Sequence, residues 1–300
     1  MELWQAIVIG IVEGITEYLP VSSTGHLIIT TSLMGLHEPP DVKRAVDAYN
    51  IVIQGGAILA VLTLYWPRVQ QMILGLLGKD QGGLRLFRNI VIAFLPAAVI
   101  GVLLKDMIDR YLFSLYPVVA ALMIGGVYMI LVDRFAMRRL REREAEEDKD
   151  PELRDDWNIT KMTVRQSLII GFMQCVAMWP GTSRSMMTIT AGVLVGLKPR
   201  QAAEFSFLLG LPTLGGATVY ALVKNLHESA RDNEPNMFEQ LGWMPLLVGT
   251  FVTTITAIIA VKWLIGFLNK HGLAPFGYYR IIVGAVLLTL GLMGVVHVVD

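Results

Sequence analysis

The sequence is poor in charge and almost free of cysteine. Charged residues make up 17% of its 300 residues, whereas 54% are hydrophobic and the mean hydropathy is +0.56. A soluble domain usually carries about a quarter charged residues. Here the charges cluster between long apolar runs, which excludes a soluble domain and indicates a polytopic membrane protein. The single cysteine, Cys175, excludes an internal disulfide.

The N-terminus also lacks the basic region and the A-x-A site of a cleaved secretory signal, so we expect the first apolar segment to stay in the chain. The net charge is zero and carries no information about partners. We expect the protein to lie in a membrane and not to bind nucleic acid. A spanning helix needs roughly 20 apolar residues. The segments that come close to that length are about 46–66, 89–105, 114–133, 202–224, 243–268 and 276–298.

Two further apolar regions, 1–35 and 163–196, are interrupted in the middle by proline, glycine and hydroxyl residues. The first break reads LPVSSTG (19–25) and the second reads WPGTSRS (179–185). Each half has about 12–18 residues, which is too short to cross a bilayer comfortably. Each region is therefore predicted to form a re-entrant hairpin of two half-helices.

The two broken regions also resemble each other. GIVEGITEYLPVSSTGH (10–26) aligns with GFMQCVAMWPGTSRSMM (171–187) after small shifts. This similarity predicts that one structural unit is used twice. The aligned pairs are Glu13 with Gln174, Pro20 with Pro180, Ser22 with Thr182, and Ser23 with Ser183.

The predicted fold is an all-α polytopic membrane protein with two repeats in one integral membrane domain. The first repeat covers 1–133 and the second covers 163–300, and each is a re-entrant hairpin followed by three transmembrane helices. A charged linker, 134–162, lies between them. Residues 134–165 hold nine Lys/Arg and nine Asp/Glu, and such dense mixed charge is typical of a water-exposed segment.

Each hairpin returns to its own side and is followed by an odd number of spans, so the second repeat must enter from the opposite face. This predicts an inverted-topology repeat, as in many transporter folds. One face then receives 17 Lys/Arg and the other receives six. The positive-inside rule places the face with 17, including the linker, in the cytoplasm. Both termini are then expected on the outer side.

Each break is followed by a helix start, where free N–H groups and the positive end of the helix dipole favour anions. Hydroxyl groups add donors, and Arg184 adds a planar fork of donors that suits phosphate oxygens. Two such tips that meet near the middle of the bilayer would receive a polyanion such as a diphosphate. The residues at the two tips are Ser22, Ser23, Thr24, Gly25, Thr182, Ser183, Arg184 and Ser185.

Glu13 and Glu17 lie four residues apart on one helix face, where unpaired carboxylates would repel each other. A shared proton, Arg184 or a divalent cation would resolve the repulsion, and a nearby diphosphate favours Mg²⁺ or Ca²⁺. His26 is three residues beyond Ser23, a spacing that suits an imidazole beside a hydroxyl nucleophile. Structural roles remain open: a serine that caps a kink, a histidine that only donates hydrogen bonds, and Glu17 as simply the partner of Arg184.

These residues resemble a known family, the bacitracin-resistance type of undecaprenyl-diphosphatase, an integral membrane enzyme of bacterial cell-wall lipid recycling. The family pattern E-G-x-T-E-x-L-P-x-S-S-x-G-H is met in full by Glu13–His26, and P-G-x-S-R-S-x-x-T is met by Pro180–Thr188. EFSFLL (204–209), Pro212 and the PF..YR element at Pro275–Arg280 extend the similarity over nearly the whole chain. The long charged linker departs from the family and lies away from both patterns.

The resemblance implies hydrolysis of undecaprenyl diphosphate to undecaprenyl phosphate and phosphate. It also implies dependence on a divalent cation, and a site that opens to the outer face of the bacterial cytoplasmic (inner) membrane. The resemblance further implies that Glu13, Glu17, Ser23, His26 and Arg184 are functional residues. We interpret Glu13 and Glu17 as metal ligands and Glu17, Ser23, His26 and Arg184 as catalytic residues.

The preferred mechanism is attack by Ser23, with Glu17 or His26 taking its proton. Attack by water or by His26 stays open. The alternative function is a transporter or flippase of a polyprenyl phosphate, because inverted repeats and broken helices are transporter architecture. A homo-oligomer is compatible with the sequence.

The topology can be tested with single cysteines in a Cys175→Ser background, probed in intact cells with a thiol reagent that cannot cross membranes. Cysteines at Glu2, Glu38 and Asp300 are expected to react, and a cysteine at Glu146 is not. All four should react once the cells are permeabilised. Reaction at Glu146, or reaction at Glu2 with protection at Glu38, would contradict the inverted repeat, because complete crossings would separate residues 2 and 38.

Overall fold

The computed structural model describes residues 1–36, 40–149, 158–232 and 234–296. The regular secondary structure in these ranges is helical. A short 3₁₀ helix, Ile159–Lys161, separates the sixth and seventh α-helices. The α-helices, in chain order, are α1 (Leu3–Thr16), α2 (Ser23–Leu33), α3 (Pro40–Leu64), α4 (Trp66–Leu76), α5 (Gln81–Tyr111), α6 (Leu115–Lys149), α7 (Val164–Val176), α8 (Arg184–Leu194), α9 (Pro199–Asp232), α10 (Met237–Leu241), α11 (Trp243–His271) and α12 (Ala274–Leu292).

Six of the described helices are long and apolar enough to cross a membrane. They correspond to the six predicted spans, with ends that differ somewhat from the predicted ones. The chain is therefore an all-α, polytopic membrane protein. The apolar stretches are Val42–Leu64, Gln81–Leu104, Leu115–Phe135, Pro199–Asp232, Trp243–His271 and Ala274–Leu292.

The connecting segments hold more helix than the sequence predicts. The short helices α4 and α10 lie between the long apolar helices, where no helix was predicted. Helix α6 continues beyond its apolar stretch to Lys149, so the first part of the predicted linker is helical. This part is rich in Arg, Glu and Ala, which are good helix formers.

Some predicted features lie outside the described residues. They include linker residues 150–157, the last two residues of the expected span 276–298, and the proposed cysteine positions Glu38 and Asp300.

The two broken regions form pairs of short helices, as predicted. α1 and α2 have 14 and 11 residues, and α7 and α8 have 13 and 11. At 1.5 Å per residue these helices are about 16–21 Å long, short of the roughly 30 Å of a bilayer core. In the second pair, Gln166 Nε2 donates to the carbonyl of Val195 at 3.0 Å. The start of α7 therefore lies beside the end of α8, and the pair is a hairpin.

The first pair, α1 and α2, is also arranged as a hairpin. Ala6, near the start of α1, and Leu36, just after α2, are buried in one apolar cluster together with Met237 of α10. The two ends of this pair thus meet at one end of the helix bundle.

The order of helices is the same in both halves of the chain. Two short helices are followed by a long, a short and two long helices, from α1 to α6 and again from α7 to α12. Packing between the halves is reciprocal, because α1 packs on α11 and α7 packs on the corresponding helix α5. The helices α3 and α9 pack on each other, as do α6 and α12.

Two serines mark equivalent points in the two halves. Ser22 and Ser183 have φ values of 74° and 76°, and in the described part of the chain they are the non-glycine residues with positive φ. Each caps the next helix, because its hydroxyl accepts from the backbone N–H of Gly25 or Met186. Ser22 therefore corresponds to Ser183 and Ser23 to Arg184.

The predicted alignment, which paired Ser22 with Thr182, is wrong by one residue at the tips. It was anchored on the prolines Pro20 and Pro180, whereas the helix caps determine the equivalence in space.

Ion pairs at the helix ends join segments that the sequence assigns to one face. Arg68 of α4 donates to Glu204 of α9 at 2.7 Å, and both belong to the face rich in Lys and Arg. Arg44 pairs with Glu234 at 2.8 Å, and both belong to the other face.

Small residues let the first half-helix and the first span approach α11. A Cβ on Gly14 would lie 2.5 Å from the carbonyl oxygen of Thr253, and one on Gly56 would meet the carbonyl of Thr250 even more closely. The contact at Gly14 places α1 against α11, and α1 carries Glu13 and ends beside Glu17.

Candidate active site

The tips of the two hairpins pack against each other at the centre of the bundle. Ser185, in the first turn of α8, donates its hydroxyl to the carbonyl of Leu19 at 2.9 Å. Ser185 is fully buried and Leu19 is nearly so. The first turn of one hairpin's second helix is thereby bonded to the loop of the other hairpin.

Glu17 connects the two tips. Its Oε2 accepts from the Ser23 hydroxyl at 2.9 Å, and its Oε1 accepts from Arg184 Nη2 at 3.2 Å. The Arg184 and Glu17 side chains are only 10% and 7% exposed, so the pair is shielded from solvent. Charge-assisted hydrogen bonds of this kind are strong and fix geometry. The structure thus brings Glu17, Ser23 and Arg184 into one site.

Arg184 is held on several sides. Its Nη1 donates to the carbonyl of Ser206 at 2.9 Å, and the guanidinium lies 5.5 Å from the ring centroid of Tyr18. Its Nε is buried without a hydrogen-bond partner in the described residues. The guanidinium therefore has a fixed orientation and still has donors available for a ligand.

Glu13 is fully buried, and neither of its carboxylate oxygens has a hydrogen-bond partner among the described residues. A buried, unpaired carboxylate is costly and requires a proton or a cation. The described chain holds no group of three or more His, Cys, Asp or Glu side chains that could bind a metal ion. Glu13 and Glu17 could therefore supply two ligands, and the remaining ligands would have to be phosphate or water oxygens.

His26 lies one turn along α2 and makes two hydrogen bonds. Its Nδ1 is 2.7 Å from the carbonyl oxygen of Ser22, and its Nε2 is 2.8 Å from the hydroxyl of Tyr279. The spacing predicted an imidazole beside a hydroxyl nucleophile. The hydrogen bond instead goes to the backbone of Ser22, while the Ser23 hydroxyl donates to Glu17.

The other predicted binding residues stabilise the backbone at the two tips or lie buried there. The hydroxyls of Ser22 and Ser183 cap α2 and α8, and Ser183 Oγ also lies 3.0 Å from Ser185 Oγ. Thr182 is buried just before α8, and Gly25 is buried in the first turn of α2.

Thr24 is half-buried in that same first turn of α2. All the predicted tip residues therefore lie at the two helix starts.

Arg280 of α12 is a central residue that was not predicted as part of the site. It is fully buried and donates to the carbonyls of Gly181 at 2.9 Å, Ala121 at 3.1 Å and Pro20 at 3.5 Å. Two of these carbonyls belong to the two tips. The available signal was a cation within an apolar segment, which is a functional hypothesis by default.

Tyr279, the neighbour of Arg280, was missed as well. It is 44% exposed, and its ring lies parallel to that of His26 with 5.6 Å between centroids. Tyr279 and Arg280 both belong to the PF..YR element. The sequence connects this element to the family but does not indicate the role of either residue.

A family model described as Bacitracin resistance protein BacA matches residues 6–286. The chain belongs to the BacA family. This confirms the family predicted from the two sequence patterns, and the matched range includes both tips and Arg280.

Relatives from diverse bacteria match nearly the whole chain, and the following three are each named undecaprenyl-diphosphatase. The Sorangium cellulosum protein is 42% identical over 287 residues, covering 96% of this chain and 86% of the relative. The Clostridium tetani protein is 37% identical over 294 residues, covering 98% of each chain. The Pseudomonas putida protein is 42% identical over 292 residues, covering 96% of this chain and 94% of the relative.

The role of Arg280 can be tested by replacing it with methionine. Arg280→Met leaves the carbonyls of Pro20 and Gly181 without this donor, at about 1–3 kcal/mol each. Removal of a buried charge offsets part of this loss, so we expect a net destabilisation of roughly 1–4 kcal/mol. Thermal unfolding in detergent measures it. Lys270→Met removes the same charge from an exposed position and should have little effect. Equal unfolding temperatures for both variants would show that Arg280 does not hold the tips.

Proposed function

We propose that this chain hydrolyses undecaprenyl diphosphate to undecaprenyl phosphate and phosphate, and thereby recycles the cell-wall carrier lipid and confers bacitracin resistance. The observation that carries the proposal is the contact of Glu17 with both Ser23 and Arg184. It joins a hydroxyl, a base and a phosphate-binding cation across the two tips. The names of the relatives support the substrate and the reaction, and they do not favour the alternative of polyprenyl phosphate transport.

In the proposed mechanism, Ser23 attacks the terminal phosphorus and Glu17 accepts its proton. The hydroxyl already donates to Glu17 Oε2 at 2.9 Å, which gives the proton a direct path as the new O–P bond forms. The bond from the terminal phosphorus to the bridging oxygen breaks, and undecaprenyl phosphate leaves. Water then attacks the phosphoseryl group. The Ser23 oxygen recovers its proton from Glu17, and the hydrogens of the water stay on the released phosphate.

The contacts of His26 favour Ser23 as the nucleophile and Glu17 as the base. Both nitrogens of His26 are engaged, with the Ser22 carbonyl and the Tyr279 hydroxyl. Ser23, by contrast, already has a carboxylate as its acceptor.

Arg184 grips the terminal phosphoryl group in this proposal. A guanidinium has five N–H donors. Two of them bind Ser206 and Glu17, and the unpaired Nε is among the three that remain. A planar fork of donors suits phosphate oxygens, and the N-termini of α2 and α8 add backbone N–H groups. Positioning and charge neutralisation account for most of the catalysis in phosphoryl transfer.

We also propose a divalent cation, Mg²⁺ or Ca²⁺, as the cofactor. The unpaired oxygens of Glu13 fit such an ion, because hard cations take carboxylate ligands and commonly bridge to phosphate. Glu17, one helical turn further, would be the second protein ligand. When bound, the ion would neutralise charge on the diphosphate.

The proposed topology is an inverted repeat in the bacterial cytoplasmic membrane, with both termini and the site facing outward. The repeated helix order and the reciprocal packing of α1 on α11 and α7 on α5 support two related units. The first hairpin opens at the end where α3 begins, and the second opens at the end where α9 begins. The Arg68–Glu204 pair joins the start of α4, which directly follows α3, to the first part of α9, and this supports entry of the two hairpins from opposite faces.

The reaction can be tested by measuring phosphate release from undecaprenyl diphosphate with the chain purified in detergent. Glu17→Gln should lower the turnover by roughly 10²–10⁴, because it removes the base. Glu239→Gln, an exposed change on α10, serves as the control and should keep full activity. Absence of phosphate release by the unchanged chain would refute the proposed function, and an active Glu17→Gln variant would refute the assigned base.

The cation site can be tested separately by titrating the metal ion. Glu13→Gln should raise the metal concentration needed for half-maximal rate, because it removes one of two proposed protein ligands. Glu204→Gln changes a partly buried glutamate that binds Arg68 outside the site, and it should keep the normal metal dependence. An unchanged metal dependence in Glu13→Gln would exclude Glu13 as a ligand.

A further inference from the structure

His26 and Tyr279 connect an exposed side of α12 to the first tip. The Tyr279 hydroxyl lies 2.8 Å from His26 Nε2, and His26 Nδ1 lies 2.7 Å from the carbonyl oxygen of Ser22. Ser22 is the strained cap of α2, with φ of 74°, and it directly precedes Ser23. A chain of two hydrogen bonds thus runs from α12 to the backbone beside the proposed nucleophile.

The acceptor at one end determines where the proton of His26 lies. A carbonyl oxygen only accepts hydrogen bonds, so Nδ1 must carry a hydrogen in both the neutral and the charged ring. In the neutral ring Nε2 is then an acceptor, and the Tyr279 hydroxyl donates to it. Neutral His26 is therefore the Nδ1–H tautomer, and Tyr279 stabilises that tautomer.

We propose that Tyr279 is a positioning residue that acts through His26 to hold the Ser22 carbonyl, and with it the Ser23 hydroxyl, in place. This inference rests on the proposed diphosphatase function. It gives His26 a supporting role at the tip, because its Nδ1–H bond stabilises a backbone conformation that L-residues rarely adopt.

The hydrogen bond from His26 distinguishes the first tip from the second. By the equivalence of Ser22 with Ser183, the residue that corresponds to His26 is Met187, which has no ring nitrogen. The contacts that join the tips, from Ser185 to Leu19 and from Arg280 to Pro20 and Gly181, involve both of them. The bond from His26 to the Ser22 carbonyl therefore has no counterpart at Met187.

Tyr279→Phe tests the proposal, because it removes the hydroxyl and keeps the ring. We expect kcat to fall by roughly five- to tenfold, as for one lost hydrogen bond, with KM within about twofold of its normal value. Tyr278→Phe is the matched control. Tyr278 is the preceding residue, is 52% exposed, and should tolerate the change without loss of activity.

Substitutions of His26 separate a positioning role from proton transfer. His26→Asn can retain a donor near the place of Nδ1, whereas His26→Gln places its amide near Nε2. If His26 positions Ser22, the Asn variant should keep several times more activity than the Gln variant. Tyr279→Phe should then cause no further loss in the His26→Asn background, because the bond it breaks is already gone. Equal inactivity of both His26 variants, or additive losses with Tyr279→Phe, would overturn the proposal.

A spectroscopic measurement keeps the test independent of activity. In ¹⁵N-histidine spectra of the full chain in detergent, the signal absent from His26→Asn belongs to His26. Neutral His26 is expected as the Nδ1–H tautomer, with a greater share of the Nε2–H tautomer in Tyr279→Phe. A predominant Nε2–H form in the unchanged chain would refute the hydrogen-bond chain even if phosphate release were also absent, whereas absent phosphate release with the expected tautomer would count against the diphosphatase function alone.

Discussion

An interrupted helix leaves backbone groups without partners, and a membrane interior supplies no water to satisfy them. This chain has two such interruptions, and Arg280 donates to a carbonyl in each of them and to a third carbonyl on α6. Space for its guanidinium exists because Gly125 has no side chain, since a Cβ there would lie 2.6 Å from Arg280 Nη2. This buried cation, together with the bond from Ser185 to Leu19, holds the two tips together and so supports the contact of Glu17 with Arg184.

The sequence predicted those features that depend on residues close together in the chain. Proline, glycine and hydroxyl residues within apolar runs located both hairpins, and the similarity between the two breaks predicted that Ser23 and Arg184 would lie close together. Arg280 and Tyr279 could not be placed in this way. They reach the tips from α12, far along the chain, and the pattern of an apolar helix does not tell which of its side chains faces a distant loop.

The two halves of the chain have the same helices but different chemistry at their tips. The first half carries Glu13, Glu17, Ser23 and His26, whereas the aligned positions of the second half hold Gln174, Met178, Arg184 and Met187. One half therefore supplies the acidic and hydroxyl groups, and the other supplies the cation that is proposed to bind phosphate. The tips are in contact, through Ser185 with Leu19 and through Arg184 with Glu17, so neither half has the complete set of groups alone.

The unusual backbone at Ser22 and Ser183 has a consequence for the evolution and engineering of such proteins. Glycine would adopt this conformation without the steric penalty that serine carries, which is on the order of 1–3 kcal/mol at each position. A typical protein has a total stability of only about 5–15 kcal/mol. Directed selection for heat resistance alone would favour glycine at either position where the lost cap costs less than the relieved strain, and at such a position serine would persist only under selection for turnover.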